Sequence, residues 1–406
     1  MGAPVKVFIS SGEPSSDLHA AAYLKELEKL DPGLQAFGVG GPALQGRPSF
    51  YCLLSQEKLT AMGFAEVVGK LASILRCLKD LESWAAKEKP DVALLFDYPD
   101  FHFKLAARLK ALGIPVICFI PPKIWAWRKG RIEKIRDLYR HVFTILPFET
   151  DLYKGAGIPM DYVGNPLLDE LPFHETVEKC RKHFNLLNDE EVLLLMPGSR
   201  TAELKYLLKP FLETAAILIP RMGANGKSGK ILIPLPNQKR ADDVRKQITD
   251  LCYDHLPIQI SVGDSGLAMK VAKVALIKSG TSSLEAALLN CPHVVTYQGH
   301  WATKVIFKAV VRYYGAISLV NLVDDFKADK KNFVVPELIL ADFGVDRFVS
   351  ELEALLVEDG ESRKRMLAGF RRVREKLTPA SGDSPMTFAA RRTLELLAKW
   401  NGAAHG

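Results

Sequence analysis

Residues 274–285 read Val-Ala-Leu-Ile-Lys-Ser-Gly-Thr-Ser-Ser-Leu-Glu. A short apolar run ends at Ser279-Gly280-Thr281, and Leu284, Ala286, Ala287, Leu288 and Leu289 then recur as in a helix. The pattern predicts a strand, a tight turn and a helix start. Unpaired backbone N–H groups and the positive end of the helix dipole gather at such a turn, Gly280 admits a close ligand, and the hydroxyls of Thr281 and Ser282 add donors. A diphosphate suits that place, and Glu285, a few residues into the helix, suits the hydroxyls of a ribose. The same residues also read as a capping box, Ser282-x-x-Glu285, which satisfies its own helix end with no ligand present. These residues alone leave both readings open.

Outward from this stretch the pattern repeats. Strand-like apolar runs at 192–196, 231–234, 258–262, 274–278 and 294–297 alternate with helical segments, as do runs at 5–10, 92–96, 116–120 and 142–146. Short buried strands alternating with helices predict an α/β fold with parallel sheets covered on both faces. Gly164-Asn165-Pro166 and Pro172 interrupt the pattern before it restarts, so the expected organisation is two Rossmann-like domains, 1–170 and 171–378. A last helix in 379–406 is expected to pack back on the first domain or on a partner subunit. In such folds ligands bind beyond the carboxyl ends of the strands, so an active site is expected in a cleft between the domains.

Composition bounds the partners. A chain of 406 residues with 48% hydrophobic content buries substantial cores, and a net charge of +7 points to anionic partners. No zinc knuckle, aromatic-interleaved basic tail or other nucleic-acid signature is present, so nucleic acid is not an expected partner. The six cysteines stand singly, with no C-x-x-C pair, as in a reduced cytosolic protein. The amino terminus runs straight into a strand pattern and no window approaches a membrane span, which argues against secretion and against membrane spanning.

The strand ends carry the candidate chemistry. After 5–10 comes Ser11-Gly12-Glu13-Pro14-Ser15-Ser16-Asp17, a loop of hydroxyls and carboxylates before a helix expected near Leu18, which also reads as a plain helix cap. After 92–96 comes Asp97-Tyr98-Pro99-Asp100-Phe101. A carboxylate directly beyond a buried strand is partly desolvated, which suits Asp97 to general-base work, whereas Asp100 after a proline also reads as a turn residue. Pro121-Pro122-Lys123-Ile124-Trp125-Ala126-Trp127-Arg128 sets indoles among cations and reads either as a ligand-facing segment or as a solvated edge. In the second half, Pro197-Gly198-Ser199-Arg200 offers backbone donors and a cation to a phosphate, and Asn321 lies on an apolar stretch where a buried amide needs partners.

Two stripes have helical spacing. Phe64, Val67, Val68, Leu71, Ile74, Leu75 and Leu78 read as core packing or as a lipid-facing surface, and Trp301, Val305, Ile306, Ala309, Val310 and Tyr313, with Lys304, Lys308 and Arg312, suit an anionic membrane surface or a solvated helix. The nine histidines form no H-x-x-x-H or H-E-x-x-H pair and there is no G-x-S-x-G elbow, so neither a metal, a cofactor nor a serine hydrolase is expected.

Taken in order, Ser11-Gly12-Glu13, Ala61-Met62-Gly63, Asp97-Tyr98-Pro99-Asp100-Phe101, Trp125-Ala126-Trp127-Arg128, Pro147-Phe148-Glu149, Pro197-Gly198-Ser199-Arg200, Ser279-Gly280-Thr281 with Glu285, Ser318-Leu319 with Asn321, and Val335-Pro336-Glu337-Leu338 closely resemble the lipid-A-disaccharide synthase family over nearly the whole chain. The resemblance implies the GT-B architecture of two facing Rossmann-like domains. It also implies an inverting, metal-independent transfer of 2,3-diacylglucosamine from its UDP conjugate to the 6-hydroxyl of 2,3-diacylglucosamine 1-phosphate, giving a β-1,6 disaccharide of lipid A biosynthesis and UDP. Asp97 is then the base, while Glu13, Asp100, Trp127 and Arg128 position the acceptor. Ser199, Arg200, Ser279, Gly280, Thr281, Glu285 and Asn321 hold the UDP-sugar. The family also implies a cytoplasmic enzyme, peripheral on the inner face of the membrane, lipid contact near residues 64–78 and paired subunits. The chain departs from the family pattern at Ser16, Pro121, Lys123 and Asn165, positions that bear on acceptor choice. The alternatives from other classes are a UDP-sugar epimerase of the same fold and a noncatalytic UDP- or lipid-binding homologue.

Overall fold

Val92–Phe96 shows why the strands form where they do. All five side chains of this run are at 0% exposure. Alternation along the strand sends Val92, Leu94 and Phe96 to one face, with Tyr23, Leu24, Leu27 and Met386. Ala93 and Leu95 go to the other, with Leu78, Leu81 and Leu105. A strand with helices on both faces is apolar throughout, which is the parallel-sheet pattern.

The computed structural model describes residues 4–59, 67–122, 130–222, 227–298 and 315–402, without the side chains of 67–71. The chain divides into two compact units, Met1–Asp169 with Leu377–Gly406 and Glu170–Lys376. The first holds β1 (Lys6–Ser11), β2 (Gln35–Gly40), β3 (Phe50–Ser55), β4 (Val92–Phe96), β5 (Val116–Phe119), β6 (His141–Thr144) and β7 (Met160–Tyr162), in a seven-stranded sheet of order β3-β2-β1-β4-β5-β6-β7. The second holds β8 (Glu190–Met196), β9 (Ser228–Leu235), β10 (Ile258–Val262), β11 (Ala272–Lys278), β12 (His293–Tyr297) and β13 (Glu337–Ile339), in a six-stranded sheet of order β10-β9-β8-β11-β12-β13. The strand pairs are parallel throughout both sheets. Each unit therefore repeats the doubly wound α/β order.

In the first unit, the carboxy-terminal helix Pro385–Gly402 lies on the Pro14–Leu30 helix. The Tyr23 hydroxyl donates to Thr393 Oγ1 at 2.7 Å between them, and Arg392 Nε donates at 2.7 Å to Asp161, which also meets His141 at 2.8 Å. Asn165 belongs to this structural region. It is buried, donates its backbone N–H to Leu377 O at 3.0 Å, and uses both ends of its amide on Ile145 O and Leu167 N.

Strands β2, β3, β7 and β13 escape a search for apolar runs. Gly38 and Gly40 interrupt β2, Tyr51 in β3 is exposed at the sheet edge, and β7 and β13 have three residues each. Gly38 is required rather than tolerated. It has φ +144°, and a Cβ there would lie 2.0 Å from the Ile9 carbonyl oxygen of the neighbouring strand. Gly38→Ala is expected to destabilise the first unit by on the order of 3 kcal/mol, since the obstacle is backbone rather than a movable side chain. Urea unfolding tests this, and an unchanged midpoint would contradict the close β1–β2 approach.

Candidate functional site

Beyond the carboxyl ends of the adjacent strands β8 and β11 lies a cavity of about 340 Å³ in the second unit. Gly198, Ser199, Arg200 and Glu203 line one side, Lys278, Gly280, Thr281, Ser282 and Glu285 another, and Pro234–Pro236 with Gly263 and Ser265 complete it. The structure thus brings Ser199, Arg200, Gly280, Thr281 and Glu285 to one place.

The helix at this turn starts at Thr281 with Gly280 as N-cap and no side-chain cap. Ser282 is already inside the helix and Ser283 donates instead to Gly280 O at 3.0 Å, so the Ser282-x-x-Glu285 capping box does not form. The helix start, with its positive dipole end, opens on the cavity without a side chain of its own to answer it.

The Gly198-Ser199-Arg200 turn differs from its sequence reading. The backbone N–H groups of Ser199 and Arg200 both donate to Glu203 Oε2, at 3.0 and 3.2 Å, so these two amides serve the turn and not a ligand. A Cβ on Gly198, where φ is +107°, would lie 2.4 Å from that same oxygen. What the turn offers outward is the Arg200 side chain, 84% exposed.

Ser279 and Asn321 stand apart from the cavity lining. Ser279 Oγ donates to Ile317 O at 3.3 Å, and its backbone N–H donates to Thr296 O at 2.8 Å. Asn321 is 1% exposed and uses its whole amide internally: Nδ2 donates to Val335 O at 3.0 Å and Glu337 Oε1 at 2.8 Å, and Oδ1 accepts from Val335 N at 3.0 Å. Glu337 in turn accepts from the backbone N–H groups of Ile317 and Ser318 at 2.8 and 2.9 Å. This network holds the 317–318 backbone against Ser279, and neither Ser279 nor Asn321 lines the cavity. Burial pushes the Glu337 carboxyl up, against the donors that surround it.

Glu285 has a different balance. The residue is half-buried but its carboxyl end is enclosed, and that burial, with the negative charge of Glu170, pushes its pKa from 4.5 to about 7. A ligand donating hydrogen bonds, such as a ribose diol, favours the ionised form.

In the first unit the loops after β1 and β4 meet. Gly12 sits so close to Tyr98 that a Cβ would lie 2.3 Å from Tyr98 Cγ, and the charges of Glu13 and Asp100, after burial, raise the Tyr98 pKa. Glu13, Tyr98 and Asp100 are therefore neighbours. The helix begins at Pro14, not near Leu18: Pro14 supplies a preset first turn, and Ser16 Oγ accepts from Glu13 N at 3.0 Å and donates to Glu13 O at 2.8 Å. Asp97 follows β4 with φ 29°, in the left-handed region that a non-glycine residue seldom adopts, and donates its N–H to Phe119 O at 3.2 Å. Its charge and that of Glu149 help raise the Cys118 thiol pKa, after burial, so both carboxylates gather at the β5 end. Asp100 stands in the first turn of the Pro99–Ala111 helix, paired with Arg131 and exposed.

Sequence reading assigned no individual role to several residues here. Asp17 is buried and accepts from Gly41 N at 2.7 Å and Ala43 N at 2.9 Å, tying the β1 loop to the β2 loop. Ser10 Oγ and His102 Nε2 meet at 2.9 Å in full burial, and burial lowers the His102 pKa to about 3. Trp127 and Arg128 lie outside the described residues, as do the 301–313 stripe and, in the first stripe, the side chains of Phe64, Val67, Val68 and Leu71. Within the described part of that stripe Leu78 is buried and Leu75 is 43% exposed. Among the described residues no helix is long and apolar enough to cross a membrane.

The raised Glu285 pKa sets a prediction with two opposite signs. Because the folded state binds this proton more tightly than the unfolded chain, its contribution to stability falls as pH rises from 4.5 to about 7. Glu285→Gln is therefore expected to raise the melting temperature above that window while weakening nucleoside binding. The unaltered chain should bind uridine better as pH rises through about 7. A flat pH profile, or one shared by Glu285→Gln, would remove Glu285 from the ligand.

Comparison with known proteins identifies the family of the chain. The model of the family described as lipid-A-disaccharide synthetase matches residues 7–390. The lipid-A-disaccharide synthase of Anaeromyxobacter dehalogenans (strain 2CP-C) is 37% identical over 373 residues, 92% of this chain and 93% of the relative. That of Myxococcus xanthus (strain DK1622) is 33% identical, covering 97% of this chain and 98% of the relative. Among solved structures, a putative UDP-N-acetylglucosamine 2-epimerase from Listeria monocytogenes shares the fold at TM-score 0.62 and 14% identity, over 97% of this chain and 95% of that one. With the family model spanning both sheets and relatives above 30% identity along nearly the full length, the chain belongs to the lipid-A-disaccharide synthase family of GT-B glycosyltransferases.

Proposed function

We propose that the chain transfers 2,3-diacylglucosamine from UDP-2,3-diacylglucosamine to the 6-hydroxyl of 2,3-diacylglucosamine 1-phosphate, giving a β-1,6-linked disaccharide and UDP. The observation that carries this reading is the cavity beyond β8 and β11, where a helix start with no side-chain cap and an enclosed carboxylate at Glu285 suit a nucleoside diphosphate. In this reading Glu285 accepts from the ribose hydroxyls, and the Thr281–Ser282 helix start and the Arg200 guanidinium take the diphosphate. Asn321 is a positioning residue, acting through Glu337 and the 317–318 backbone on the Ser279 turn.

Asp97 removes the proton of the acceptor 6-hydroxyl as that oxygen attacks the donor C1 from the side opposite UDP. The C1–oxygen bond to the diphosphate breaks, its electron pair leaves with UDP, the proton rests on Asp97, and C1 is inverted. Cations and helix amides at the departing diphosphate stabilise the charge that develops there. The left-handed backbone of Asp97 supports this role, since strain of about 1–3 kcal/mol at one residue persists where geometry is needed for function. Glu13 and Asp100, beside Tyr98, orient the acceptor together with Trp127 and Arg128. The lipid tails of both substrates, the net charge of +7 and the exposed Leu75 favour work at an anionic membrane surface.

Incubating the purified chain with both lipid substrates should yield disaccharide and UDP in equal amounts, and UDP-N-acetylglucosamine alone should not be epimerised. Asp97→Asn should lower turnover by about a thousandfold while UDP still binds. Folded protein that binds UDP yet makes no disaccharide would overturn the reading, and wild-type turnover in Asp97→Asn would remove Asp97 from it.

A further inference from the structure

The carboxylate of Glu203 joins two parts of the second unit's cavity. One oxygen accepts from Ser199 N and Arg200 N, and the other lies 2.9 Å from the Lys278 ammonium, at the end of β11. Burial works against its charge, but Lys278 first and then the two amides hold the Glu203 carboxyl below its usual range. The pair spans neighbouring strands, since β8 leads into the 197–200 turn and β11 ends at Lys278.

The pair does more than satisfy itself. An ammonium has three donors, and Glu203 is its ion-pair partner. Lys278 Nζ also sits 5.8 Å from the Tyr297 ring centroid, and 3.8 Å from where a Gly280 Cβ would stand, beside the turn that opens the Thr281 helix. It lines the cavity with its side chain 20% exposed. Charge decides the matter. With the Ser199 and Arg200 amides engaged, the charges of Arg200 and Glu203 without Lys278 would sum to zero at that end of the cavity, against a doubly or triply charged diphosphate. Lys278 restores a net positive charge at that end of the cavity.

Resting on the nucleoside-diphosphate reading above, we infer that Lys278 is a second cation for the diphosphate of the nucleotide sugar, set in place by Glu203. As the glycosyl bond breaks, negative charge builds on the diphosphate oxygen that leaves, next to a preorganised ammonium. The lysine therefore binds the donor and also steadies UDP as leaving group.

Calorimetric titration of the full chain with uridine and with UDP tests this. Lys278→Met should weaken UDP roughly ten- to a hundredfold, the range for one charge-assisted hydrogen bond, and leave uridine within about twofold. Lys278→Arg should recover most of the loss, and the salt dependence of UDP binding should be shallower in Lys278→Met than in the unaltered chain. Equal UDP affinity in Lys278→Met and the unaltered chain overturns this inference alone. Loss of uridine and UDP binding together in Lys278→Met assigns the lysine to holding the fold and overturns it too. An unaltered chain that does not bind UDP overturns the nucleotide reading from which the inference descends.

Discussion

Strand order is the constraint on which this protein depends. In each sheet the first strand of the unit is internal: β1 has β2 on one side and β4 on the other, and β8 has β9 and β11. Crossovers between parallel strands are right-handed, so the connections that leave the adjacent strands β1 and β4, or β8 and β11, in opposite directions run over opposite faces of the sheet. The helices that follow β1 and β4, and those that follow β8 and β11, therefore lie on opposite faces, and the loops leading into them come together at the strand ends. Polar residues at these strand ends meet an open crevice instead of the underside of a helix.

The local backbone conforms to that opening. At β1 and β4, Gly12 lets the loop lie against Tyr98, and Asp97 turns out of its strand through a left-handed conformation. At β8 and β11, Gly198 makes room for the Glu203 carboxylate and Gly280 caps a helix that begins at once. The strands behind these loops are apolar on both faces and cannot shift by one residue without exchanging their cores. Rigid strands therefore set the position of otherwise irregular turns.

Three carboxylates of the second unit show how environment assigns roles to one functional group. Glu203 is pulled down by Lys278 and two amides despite burial, and works as an anchor. Glu337 is raised by burial while three donors hold it, and works as a brace for the 317–318 backbone. Glu285 is raised to about 7 by burial and by Glu170, and faces the cavity. Desolvation acts on all three, and the donors around each decide what the carboxylate does.

Much of this was legible in the chain itself. Apolar runs such as Val92–Phe96, too short for helices and flanked by turn residues, announce buried parallel strands, and their ends mark Asp97, Arg200, Gly280 and Glu285, because periodicity and strand termini are local properties. Motif order along the chain likewise pointed to the family. Strands β2, β3, β7 and β13 were not legible: glycines, an edge or mere brevity weaken the local signal, and neighbouring strands supply what is missing. Nor could sequence show that Glu203 captures the Ser199 and Arg200 amides, that Asn321 turns inward to Glu337, or that Lys278 stands beside the helix start. Those are contacts between residues far apart in the chain or between competing acceptors at one turn, and only tertiary packing determines which donor reaches which oxygen.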